Sequence, residues 1–181
     1  MTMVRATVVV FTFGVIALFG ASRAHTQSVS LQMEMMKDWS ALKTTMHRIA
    51  DEMPADKYGF RPTDAQQTFG ERTVHIAMVN VAILGALGET AIPKPTIDPK
   101  ATTKDAALKA LDDSFDYGIA LLKQQSDRTL LQPAAAPPKF LGPSSRARII
   151  GFLVGHTWDI YGQMAVYLRL SGLVPPTSQR M

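Results

Sequence analysis

Apolar positions recur at three- and four-residue spacing over four separate stretches of the chain, a period that predicts amphipathic helices rather than strands. The longest stretch covers residues 147–172. Ile149, Leu153, His156, Ile160, Met164 and Tyr167 share one face of it, so a histidine interrupts a core-facing stripe. Ser144 or Ser145 can cap its start, while Gly172 followed by Pro175 and Pro176 ends it. Such a helix would be ~39 Å long at about 1.5 Å per residue.

Residues 31–53 predict the first helix, with Met35, Trp39, Leu42, Met46, Ile49 and Met53 on its stripe and Pro54 as its stop. Thr68-Phe69-Gly70-Glu71 has the form of a capping box, which starts a second helix through Val74, His75, Met78, Val81 and Leu84 to about Gly88. A third, from Thr102 or Thr103 to near Ser126, is read from Leu108, Leu111, Phe115, Gly118 and Leu122. Tyr58 and Phe60 are expected to tuck the first connection against the end of the helices. Pro93, Pro95 and Pro99 break the second connection, and the proline-rich 133–143 segment predicts an irregular third. No stretch alternates as a strand does, and none repeats. The fold class that follows is all-α, a four-helix bundle over residues 31–176 with a short tail at 177–181.

The start of the chain belongs to a different class of segment. A weakly positive beginning, an uncharged apolar run at residues 8–19 and Ser22-Arg23-Ala24 together predict a signal peptide over residues 1–24, followed by a spacer at 25–30. The mature protein is then exported, periplasmic or secreted, with no membrane span. Cleavage removes Arg5 and Arg23 and no acid, so the net charge falls from +4 to +2. The remaining cations are interleaved with acids, which argues against a nucleic-acid footprint. The chain contains no cysteine, excluding disulfides, thiolate catalysis and cysteine-bound zinc.

Histidine is the residue type left to carry chemistry. His25 sits at the cleavage edge, and His47 lies on a polar flank of the first helix, where it is expected to face solvent. His75 and His156 sit among apolar helical neighbours, which is how bundles build metal sites from facing helices. On spacing alone, a hydrogen-bonded core histidine is the more frequent outcome. Trp158, Tyr161 and Tyr167 are expected to pack in the core or in a self-association face.

The segment Thr68-Phe69-Gly70-Glu71-Arg72-Thr73-Val74-His75-Ile76-Ala77 resembles the start of the second helix of the DinB-like (DinB/YfiT-like) proteins, and residues 156–176 resemble their final helix. Trp39, the Met53-Pro54 pair and the Tyr58-Phe60-Pro62 region extend the resemblance over nearly all of the mature chain. It implies a four-helix bundle, commonly a homodimer, with a divalent metal held by three histidines. It also implies a hydrolase or transferase-like activity. Carried onto this sequence, two of the ligands fall on His75 and His156 and the third on Ile160, which has no donor atom. Asp159, three residues from His156, is the candidate replacement, with His47 as a second. Zinc, nickel, manganese or iron(II) would suit two imidazoles and a carboxylate. The alternative is a non-catalytic bundle that binds a small apolar ligand over Ile160 and Met164, or a partner protein.

Overall fold

The computed structural model describes residues 29–88 and 91–179. The expected signal peptide and His25 lie outside these residues. The first helix, α1 (Leu31–Glu52), begins at Ser30, whose hydroxyl accepts from the Met33 amide. Asp127, distant in sequence, accepts from Ser30 Oγ and the Gln32 amide, both at 2.8 Å, and so holds an anion at the positive end of the helix. The second helix, α2 (Phe69–Leu84), carries both halves of the capping box. Thr68 Oγ1 accepts from the Glu71 amide at 3.2 Å, and the Glu71 carboxylate accepts from the Thr68 amide at 2.7 Å. It tightens into a 3-10 turn, Gly85–Leu87, and stops at Gly88, whose φ of 78° suits only a residue without a Cβ.

Helix α3 (Lys104–Lys123) follows Thr103, and α5 (Arg146–Leu170) follows Ser145, whose hydroxyl accepts from the Arg148 amide. Between them lies a departure from the expected irregular connection. Ser126 caps a single-turn helix, α4 (Asp127–Leu130), and a 3-10 turn forms at Lys139–Leu141. A single turn is too short to show a period, and its cap is the visible cause. Among the described residues the strand-like pairing is an isolated bridge between Pro133 and Ser145, and no helix is long and apolar enough to cross a membrane.

The inward stripes of α1, α2, α3 and α5 meet in one core. Trp39 of α1 is fully buried. Its indole donates to the Phe115 carbonyl at 3.0 Å and lies flat enough against Gly118 that a Cβ there would come within 2.5 Å of the ring. Tyr58 and Phe60 tuck in as expected: the Tyr58 hydroxyl donates to the Ala50 carbonyl, and Phe60 meets Tyr167 edge-on at 6.0 Å. Of the three aromatics of α5, Tyr161 and Tyr167 are buried in the core, whereas Trp158 is 45% exposed.

Antiparallel α1 and α3 are joined along their wet edge by Lys43–Asp116, His47–Asp112 and Asp51–Lys104 pairs at 2.6, 3.1 and 2.9 Å. His47, expected to face solvent, is therefore half-buried and engaged with Asp112. Helix α2 is flanked by α3 on one side and α5 on the other. That arrangement places His75 at the α2–α5 seam, away from the edge that carries His47.

Candidate functional site

His75 projects from the middle of α2 and His156 from the middle of α5, and neither comes from a loop. Their rings meet with centroids 5.4 Å apart and planes at 64°. Both side chains are half-buried, because each lies at the edge of its helix's apolar stripe rather than at its centre. Phe152, one turn before His156, stacks on the His156 ring with centroids 6.1 Å apart and planes 8° from parallel. Phe140, in the 3-10 turn before α5, packs against Phe152 at 5.4 Å while remaining 70% exposed.

Electrostatics keep the pair uncharged near neutral pH. Burial holds the His75 imidazole below its usual range, and the neighbouring His156 and Arg72 push it in the same direction. Burial also lowers His156, against a partial pull upward from the Asp159 carboxylate. Neutral imidazoles present lone pairs, the form needed for a ligand or a general base. His156 Nε2 is buried and has no hydrogen-bond partner. Leaving such an atom unmatched costs about 1–3 kcal/mol, so the protein maintains an unsatisfied acceptor or donor beside a second imidazole.

Asp159 is placed differently. It is exposed, and it accepts a 2.9 Å hydrogen bond from the Gln163 amide one turn further along α5. Ile160 is 3% exposed and packs in the core with Met164, which is fully buried. Among the described residues no three His, Asp or Glu side chains are gathered as a metal would need. Two neutral imidazoles meet here, and the described residues bring no third donor to them. The small-ligand pocket expected over Ile160 and Met164 has no support from their packing, since both fill the core.

Two neighbours escaped the sequence reading. Phe152 was detectable as the aromatic four residues before His156. Arg72, three residues before His75, also influences the site; its guanidinium reaches the Tyr167 hydroxyl at 3.5 Å.

Residues 39–164 match the DinB superfamily. Among solved structures, the chain is similar to a DinB-like protein from Bacillus cereus, with a TM-score of 0.67 and 17% identity over 81% of this chain and 96% of that one. A DinB-like protein from Bacillus subtilis is similar with a TM-score of 0.62 and 16% identity, covering 82% and 99% of the two chains. At these identities the structures establish a shared fold. No curated protein matches the chain. The family match extends from Trp39 to Met164 and takes in both histidines of the pair, and the chain belongs to the DinB superfamily.

Proposed function

We propose that this chain is an exported, divalent-metal-binding hydrolase or transferase-like protein whose working centre is the His75–His156 pair. In this reading residues 31–176 act as one four-helix bundle that carries the pair. The observation that supports it is the buried, unpartnered Nε2 of His156, on a ring whose centroid lies 5.4 Å from that of His75. Such an atom is costly in a purely structural core and is explained if it is a ligand.

When bound, the ion supplies Lewis-acid chemistry and makes a nucleophile from water near neutral pH. The protein's own contributions are distinct from that. Burial lowers the pKa of both imidazoles, so protons compete less with a ligand for their lone pairs. Phe152 restrains the plane of the His156 ring by stacking on it. Asp159 would be the third donor, at the cost of the hydrogen bond it accepts from the Gln163 side chain.

The test is metal content of the mature protein purified without a metal-binding tag, alongside His75→Ala, His156→Ala and Asp159→Asn. Near-stoichiometric metal, absent from both histidine variants and weakened in Asp159→Asn, is the expected result. A wild type that takes up no zinc, nickel, manganese or iron would remove the enzymatic reading. Export is tested by sequencing the exported protein, whose first residue is expected to be His25.

The reading includes self-association through the outer face of α5. Trp158 and Val166 are exposed there, and Gly151, Gly155 and Gly162 have open space where a side chain would stand. A second copy of the helix would find these glycines and apolar side chains flanked by the exposed Arg148, Asp159 and Arg169.

A further inference from the structure

Beyond His75, the outward stripe of α2 continues through Met78, Ala82 and Gly85 at three- and four-residue spacing. The connection that leaves α2 returns along this stripe. Ile97 lies beside Met78 and Ala82, and nearer the start of the helix Thr102 lies so close to Gly70 that a Cβ there would collide with its carbonyl. Two cavities, about 490 and 360 Å³, open between the stripe and the connection, and both are lined by Ala82 and Lys94. They adjoin at Ala82 and Lys94, and the second reaches along α2 to Met78, one turn from His75.

Among the described residues the walls of this groove combine apolar side chains with Tyr117 and Thr96, and Lys94, where the two cavities adjoin, is the charged side chain that lines them. Lys94 Nζ lies over Gly85, 3.5 Å from the place a Cβ would occupy, so the glycine admits the ammonium onto the last turn of the helix. Lys94 makes no ion pair among the described residues. Met78 is 41% exposed on the groove floor, a flexible thioether in a position where burial would be gained by an apolar occupant. Ten residues separate Gly85 from His75, or ~15 Å of helix.

We infer that this groove binds an elongated apolar molecule ending in a carboxylate, with the carboxylate at Lys94 and the opposite end directed toward the His75–His156 pair. One cation matches one carboxylate, and a polyanion would find no second charge. The floor of Met78, Ala82 and Ile97 beside Lys94 suits a hydrocarbon chain. What happens at the far end rests on the metal-site reading, whereas the groove and its anion anchor do not.

Dodecanoate and dodecanol, titrated calorimetrically into the full mature protein, test the assignment, with zinc titrated in parallel. Dodecanoate is expected to bind one per chain and about tenfold more tightly than the alcohol, the scale of one charge-assisted hydrogen bond. Lys94→Gln should erase that preference. Ala82→Trp, at an exposed position that tolerates bulk, should weaken both ligands without changing zinc uptake or the melting temperature. His75→Ala should lose zinc and keep dodecanoate. Equal affinity for acid and alcohol, or indifference to Ala82→Trp, overturns the groove. Zinc retained with no dodecanoate bound overturns the groove alone, and dodecanoate retained with no zinc bound supports the groove and removes the metal-site reading.

Discussion

At the scale of single residues, the protonation of His75 and His156 connects the site to stability. Both imidazoles are held below the ordinary value of about 6.5, so in mild acid the unfolded chain takes up protons that the folded chain refuses. Stability is then unaffected above about pH 7 and falls as pH is lowered through about 6.5 toward the depressed folded values. Thermal midpoints measured between about pH 7.5 and 5.5 should decline in the wild type and decline less in the His75→Ala/His156→Ala double variant. An equal decline in both would assign the effect to other groups. The same depression means that zinc binding should persist to lower pH than at an ordinary pair of imidazoles.

The histidines were legible in the sequence because each falls among the apolar residues of a helix, although the structure sets both at the edge of the stripe, and the absence of a third was legible in Ile160. Their meeting was not, since spacing within one helix says nothing about the rotation of another. Asp159 shows the same limit: three residues from His156 is close enough to feel its charge, yet the carboxylate turns outward to Gln163. Ile160→His restores the missing donor one turn from His156. It is expected to raise zinc affinity by at least about tenfold, or roughly 1.4 kcal/mol. Because Ile160 is buried, the metal-free variant should also lose about 1–3 kcal/mol of stability, recovered on adding zinc. Unchanged zinc affinity would show that the ring at position 160 points away from the pair.

At the scale of elements, the seat of Trp39 decides how α1 and α3 meet. Its ring is fixed by burial on all sides and by the bond to the Phe115 carbonyl, so it cannot withdraw from an added methyl at Gly118. Gly118→Ala is expected to cost about 1–3 kcal/mol, read as a lowered thermal midpoint with a shifted tryptophan emission. An unchanged midpoint would mean that the helices separate freely. Caps supply a smaller, separate term. Thr68→Ala removes the oxygen that accepts from Glu71 and should cost about 1 kcal/mol, while Thr68→Ser should cost little.

The helices themselves could be read from sequence because long periodic stripes and caps agree over many residues. Phe69–Leu84 and Arg146–Leu170 begin where Thr68 and Ser145 announce them. Asp127–Leu130 was hidden because one turn has no period. Its Ser126 cap is local, whereas the reach of Asp127 to the start of α1 spans 95 residues or more.

For the whole molecule, the outer face of α5 and the His75–His156 site occupy adjacent sides of one helix, and this makes assembly and metal binding separable. Trp158 and Val166 project from the open side, while His156 and Phe152 lie on the flank toward α2. A stable homodimer needs ~800 Å² buried per partner, which requires α5 to contribute most of its exposed length. Sedimentation of the mature protein is therefore expected to give a dimer, and Val166→Glu with Trp158→Ser, which places a charge at the centre of the face, should give a monomer. Zinc per chain should be the same in both forms. A wild type that sediments as a monomer at all concentrations would remove self-association. A dimer that survives the paired substitution would move its interface off α5. If zinc instead fell along with the dimer, the open positions at the histidine pair would have to be filled from the partner, and the site would belong to the assembly rather than to one chain.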